Sequence, residues 1–299
     1  MVDIKVVVNG KDISVKFKEH FTSLSIVDNA GTQSDELNIS LTNAIKRPAI
    51  EDAIEIWIAK KYYGLYLVSS TKTNHLNMLM IKATSANFTK SLKSKKNTNH
   101  FEITLGDLVA KVAKEHGLEV KFDFENLSYT NLVQDKESNM HMLNRLADKY
   151  DALFAIKNNT LIFIKRDVNL PIFTMDLDEC FPWEIERISR KEYGSCKATW
   201  RDTKENMTLS VTAGGGEPTL TQRGSFSSEA EALLVAKGEL AKTKRGTKEG
   251  SLSKKGEYFS AGSKMFIINS KQDDGEYTME RVSTTVDRRG FRVSIDFKA

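Results

Sequence analysis

Apolar and polar positions alternate with a period of two through most of the first ninety residues. That is the spacing of strands that bury one face. Ile4, Val6 and Val8 alternate up to Asn9-Gly10, and Ile13, Val15 and Phe17 alternate after it. Asn-Gly between two such runs predicts a hairpin, because both residues accept the positive φ of a tight turn. Leu24 and Ile26 lead into a polar turn at residues 28–31, and Leu37, Ile39 and Leu41 give a further strand. Ile54, Ile56 and Ile58 follow, then a turn at Tyr63-Gly64 into residues 65–68, then a short run at 77–81. Six or seven short strands separated by polar turns predict a barrel or sandwich.

The pattern then changes. Residues 89–100 carry Lys90, Lys93, Lys95 and Lys96 with no apolar periodicity beyond Leu92, and read as a connector or an exposed edge. Leu105, Leu108, Val109, Val112 and Ala113 recur at helical spacing, with Thr104 and Asp107 placed to cap the helix and Gly117 to stop it. A second helix is expected from about Ser138 to Tyr150, burying Met142, Leu143, Leu146 and Ala147. Two apolar runs at 152–156 and 161–164 flank Asn158-Asn159 as a hairpin. Strands return at 183–189, 197–200, 207–211, 265–268, 277–286 and 291–297. A Gly214-Gly215-Gly216 loop and one helix, capped by Ser228 with Glu231 three residues on, interrupt them. The expected fold is mainly β with an α+β insertion. Its domains are a first β-barrel at 1–100, a small α+β domain at 101–170, and a second β-barrel with one inserted helix at 171–299.

The 299 residues carry 44 Lys and Arg against 40 Asp and Glu, a net charge of +4. This excess is spread along the chain, unlike the concentrated basic surface of a nucleic-acid binder. No apolar run is long enough for a membrane span. The opening MVDIKVVVNG lacks the apolar core of a signal peptide, so a reducing compartment is expected. Cys180 and Cys196 form no CxxC pair and read as buried free thiols.

Catalytic signals are missing. His20, His75, His100, His116 and His141 include no HExxH, the three glycines precede no phosphate-loop lysine, and GxSxG does not occur. Asp176, Asp178, Glu179 and Glu184 define no particular acid pair. No catalytic, cofactor-binding or metal-ligating residue is therefore expected, and no cofactor. The lysine run has two readings. Its charges blunt an exposed strand edge, or Lys90, Lys93, Lys95 and Lys96 form a contact surface for an acidic partner. No aromatics are interleaved with it, which disfavours single-stranded nucleic acid.

The order of segments resembles the phage late control protein D family, the central hub proteins of contractile tails. The resemblance begins with Val8-Asn9-Gly10-Lys11-Asp12-Ile13 and continues through Leu24–Asp28, Gly31–Leu37 and Gly64–Val68. Its most specific stretch is Ser91–Lys96 followed by Thr104–Val109 and His116-Gly117-Leu118. Gln134, Glu137-Ser138, Leu143–Ala147 and Ser228–Ala232 extend it. The resemblance implies two tube-like β-barrels around an α+β insertion, and a relation to the hub part of type VI secretion spike proteins. It implies a homotrimer whose six barrels form a pseudo-hexameric ring, with tail tube protein, central spike protein and other baseplate proteins as partners. It implies a place in the virion tail baseplate after synthesis in the bacterial host cytoplasm, with no specific nucleic acid and no stable membrane insertion. No needle repeat or hydrolase segment follows the last strand, so both are expected on separate chains. The alternatives are a cell-wall hydrolase at the tail tip and a carbohydrate-binding protein.

Overall fold

The computed structural model describes residues 2–31, 33–42, 46–85, 90–157, 159–166, 172–189, 191–202 and 206–299. The chain is mainly β with interspersed helices. Thirteen strands share one sheet. Its order begins with Cys180–Arg187, Lys248–Lys255, Gly290–Lys298 and Gly275–Asp287. It passes to Phe21–Asn29, Glu36–Thr42, Met78–Ser85, Lys61–Thr73 and Ala53–Ile58, and ends with Ile4–Val8 and Lys11–Asp12. Ile172–Asp176 and Lys264–Ile268 branch from Gly275–Asp287. The order is an open path, since its first and last strands do not pair with each other.

Alternation builds this sheet. Ala53–Ile58 buries Ile54, Ile56 and Ile58 completely, while the residues between them stay partly exposed. Two apolar cores sit against the sheet. One gathers Ile4, Phe17, Leu24, Ile39, Ile56 and Leu79, among others, and the other Met175, Leu252, Met265, Tyr277, Ile295 and Phe297. Phe291 packs against both. The halves meet where Ser23–Asn29 pairs antiparallel with Arg281–Asp287. Pairing across so long a stretch of sequence makes one ladder of what local patterning reads as two units.

A third core lies between. Helices Leu105–Glu115 and Asn139–Tyr150 pack Leu108, Val112, Leu143 and Leu146 against Phe154, Leu161 and Phe163 of the three-stranded sheet that Glu119–Asp123 completes. Thr104 accepts a hydrogen bond from Asp107 N, so the expected N-cap forms, and Ser138 caps the second helix by accepting from His141 N. A fourth, smaller core joins helix Glu229–Lys244 to strands Ser195–Asp202 and Met207–Gly214 through Cys196, Ala198, Ala213, Ala232 and Ala236. Small side chains there let the helix lie close to the sheet. No helix among the described residues is long and apolar enough to cross a membrane.

Glu231 fastens this helix to the insertion. Its side chain is 5% exposed. It accepts from Lys149 Nζ, the Tyr150 hydroxyl, and Ser227 N and Oγ, each at 2.7 Å. At the other end of the helix Arg245 pairs with Asp151.

Two local expectations are corrected. Residues 14–20 form a helix, Ser14–His20, in place of a second hairpin strand. Asp12 Oδ1 accepts from Ser14 N and Oγ, which starts the turn. Phe17 is then buried while Val15 is 77% exposed. The chain reverses at Ala59-Lys60, both at positive φ, and strand Lys61–Thr73 runs straight through Tyr63-Gly64. Ile56 pairs with Gly64 and Trp57 with Tyr62, so Tyr63 is the extra residue of a bulge and Gly64, at φ +128°, absorbs it.

Candidate partner-binding surface

The lysine run leads into a two-stranded antiparallel ribbon, Lys95–Thr104 with Ser128–Ser138. A register shift between Gln134 and Glu137, with Lys136 at φ +45°, turns the ribbon toward the helix that Ser138 caps. The inner side is polar and bonded. His100 Nε2 contacts Gln134 Oε1 at 3.3 Å. Gln134 Nε2 donates to Glu137 O and Asn139 Oδ1, and Asn139 Nδ2 donates to Glu115 Oε2 at 3.0 Å. This chain of amides ties the ribbon to the ends of both helices. On the outer side Phe101 and Val133 are 66% and 51% exposed.

An open groove of about 620 Å³ runs along the ribbon at Val133–Ser138 and the first turns of helix Asn139–Tyr150. Glu137 lies at its base, 10% exposed. Arg145 grips it with two bonds, at 3.0 and 2.8 Å, and His141 Nδ1 contacts it at 2.5 Å. The Arg145 hydrogen bonds outweigh burial and hold the Glu137 carboxyl below the usual range. The rest of the lining includes Lys93, Lys95, Lys136 and Asp135, so cationic side chains outnumber acidic ones there.

The four candidate lysines therefore separate. Lys93 and Lys95 are exposed and line the groove. Lys96 turns the other way and pairs with Glu115 at 2.8 Å. The side chain of Lys90 lies outside the described residues. Sequence reading missed Lys136 and Arg145. The signal for Arg145 was its place on the second helix, four residues beyond His141, a spacing that shares one helical face.

The other sequence-level candidates lie apart. Cys180 and Cys196 are free, buried in different cores, and burial pushes both thiols up. His116 meets Asn139 at 3.0 Å and His20 meets Thr42 at 3.0 Å. Among the described residues no three His, Cys, Asp or Glu side chains gather as metal ligands.

No family model matches the chain. It is 25% identical over 215 residues to the "Probable baseplate hub protein" of Escherichia phage 186, a match covering 66% of this chain and 55% of that protein. To the protein of the same name in Escherichia phage P2 it is 22% identical over 221 residues, covering 68% of this chain and 57% of the relative. The chain thus spans little more than half the length of the curated relatives it matches. Its fold is that of a tail protein from Neisseria meningitidis MC58, with a TM-score of 0.77, 13% identity, and 100% and 96% of the two chains covered. The resemblance to contractile-tail hub proteins read from the segment order is met by relatives bearing the baseplate-hub name.

Proposed function

We propose that this chain is a non-enzymatic hub in the baseplate of a contractile phage tail or a phage-derived particle. Three copies form a ring, and each contributes two tube-like β-barrel units built on residues 1–100 and 171–299, with 101–170 as the inserted domain. The ring presents six similar units to the tail tube and three-fold symmetry to the central spike. One observation carries this reading: two apolar cores lie side by side on one continuous sheet, in a chain whose relatives are named baseplate hub proteins. A repeated unit within one chain lets a trimer meet a hexamer without mismatch. Among the described residues the sheet also ends in an unpaired edge at Cys180–Arg187, where Phe181 is 90% and Trp183 42% exposed. An edge of that kind pairs readily with a neighbouring copy.

Light scattering tests the assembly. The chain alone is expected at about three times its 33.7 kDa mass, or as a monomer that on mixing with the cognate spike protein reaches the mass of three chains plus the spike. A monomer that ignores both spike and tube protein removes the reading and turns attention to hydrolase and carbohydrate screens.

The groove beside Lys93 and Lys95 is assigned to an acidic surface of a neighbouring baseplate protein. Changing Lys93, Lys95 and Lys96 together to Glu is expected to weaken that assembly at least tenfold. Lys93→Glu with Lys95→Glu accounts for the loss, while Lys96→Glu alone lowers stability by about 1 kcal/mol through the lost Glu115 pair. Pull-down and thermal melting of the separate variants distinguish the two effects. Normal assembly by the Lys93/Lys95 pair makes those lysines merely solvated.

A further inference from the structure

Asp28 touches three parts of the fold at once. It stands on strand Phe21–Asn29 of the main sheet. Its Oδ1 pairs with Lys157 Nζ at the end of strand Ala152–Lys157, in the inserted domain. Its Oδ2 accepts from Ala261 N at 2.8 Å, in the segment before strand Lys264–Ile268. The Asp28 and Lys157 side chains are only 21% and 19% exposed.

Asp35 lies beside them, just before strand Glu36–Thr42. Its Oδ1 accepts from Asn29 N at 3.0 Å, and it lines the same small space as Asp28 and Lys157. Two ionised carboxylates sharing one enclosed space repel, so a proton is held there more readily than in water. The groups that face this pair come from every surrounding element. Tyr63 and Tyr66 come from strand Lys61–Thr73, Tyr258 and Ser260 from the segment before Ala261, Thr284 from strand Gly275–Asp287, and Lys157 from the insertion. Together they enclose a space of about 50 Å³. Lys157 is the one cation among the described residues lining it. Charge balances when the two carboxyls hold one proton between them, and a full negative charge is left uncompensated when they hold none.

We propose that Asp28, Asp35 and Lys157 form a proton-dependent clasp joining the inserted domain and the 256–263 segment to the main sheet, closed while the carboxyl pair keeps one proton and loosened when it loses it. Burial pushes Asp35 up to about 7; Lys157 opposes this and the neighbouring Asp28 charge adds to it. Because Asp35 is raised above its ordinary carboxylate value, its contribution to the closed junction is complete in acid and is lost as the pH rises through about 7. The hydroxyls of Tyr63, Tyr66 and Tyr258 are raised by burial and stay neutral throughout.

Hydrogen exchange on the full chain tests the clasp, with each amide corrected for its intrinsic pH dependence. Between pH 6 and 8.5 protection at 152–157 and 256–263 is expected to fall about tenfold, the factor that linkage gives for a carboxyl moved from about 4 to about 7. Protection in helix Leu105–Glu115 stays level. Asp35→Asn keeps the acceptor but has no proton to lose, and is expected to abolish the pH dependence. Level protection across the junction in the wild-type chain overturns the proposal, and that measurement stands even if the variant does not fold. A variant that keeps the tenfold fall overturns it equally.

Discussion

Glu231→Ala is expected to lower the stability of the chain by about 3–5 kcal/mol, the cost of removing one partner from a buried ion pair. Four bonds converge on this carboxylate, and Lys149 and the Tyr150 hydroxyl lose an acceptor that water reaches poorly. Tyr150 is 2% exposed and already receives a bond from Tyr129 at 2.9 Å, so its own proton has nowhere else to go. Burial alone pushes the Glu231 carboxyl up, but Lys149, Ser227 and Tyr150 together bring it below its ordinary value. For a lowered carboxyl the stabilisation is present above the unfolded-state pKa and is lost as the pH falls through the folded-state value. The difference between wild type and Glu231→Ala should therefore narrow in acid. Glu231→Gln keeps an acceptor and should cost about 1–2 kcal/mol, in the range of a single weakened hydrogen bond to a charged group. Denaturant unfolding measures all three, with Trp200, edge-on to Phe226 at 5.9 Å, as a fluorescent reporter close to the helix. A loss under about 1 kcal/mol for the alanine variant, the size of an exposed pair, means that the buried charge is not what holds the helix.

Gly250→Ala is expected to cost about 2–4 kcal/mol, the upper range for forcing a methyl into a filled site. Gly250 lies between Ile185 of the edge strand and Phe297 of the next. A Cβ there would stand 2.2 Å from Glu184 O and 2.8 Å from the Phe297 ring. The Phe297 ring is itself buried against Tyr277, and the carbonyl belongs to the backbone of Cys180–Arg187, so that strand must move outward. Amide exchange at 180–187 is the direct readout, with accelerated exchange there and normal protection at Phe21–Asn29 as the expected pattern. Under the hub reading the same variant loses its trimer, because the displaced strand carries the open edge with Phe181 and Trp183. An unchanged exchange pattern means that the sheet has slack at this position.

The elements legible in the sequence are those whose signal is local. The strand at 53–58 declares itself by three isoleucines two apart, the helices at 105 and 229 by their caps at Thr104 and Ser228, and the helix at 139 by Met142, Leu143, Leu146 and Ala147 on one face. Ser14–His20 was ambiguous by nature. Positions 13, 15 and 17 fit a strand, whereas 13, 17 and 21 are four apart and fit one helical face. The Ala59-Lys60 turn places two ordinary residues at positive φ, where turn chemistry gives no warning. Strands Ser128–Ser138 and Lys248–Lys255 escaped because their sequences are largely polar and their pairing partners are distant or themselves polar. The lysine run was visible as charge, but which lysine faces Glu115 depends on how the ribbon turns at Lys136. Asp28 and Lys157 lie 129 residues apart, and no local pattern connects them.

The joint between Phe21–Asn29 and Gly275–Asp287 also sets a timetable for folding. The first of these strands leaves the ribosome early, with Glu36–Thr42 able to cover one side of it, while its other side must stay bare until residues 281–287 emerge. At about 5–20 residues per second that interval is roughly 12–50 s. An alternating strand with one unpaired edge is the kind of segment that recruits the same strand from a neighbouring nascent chain. Polysomes making this protein thus hold many copies of an incomplete sheet at high local concentration, the condition under which unpaired edges aggregate.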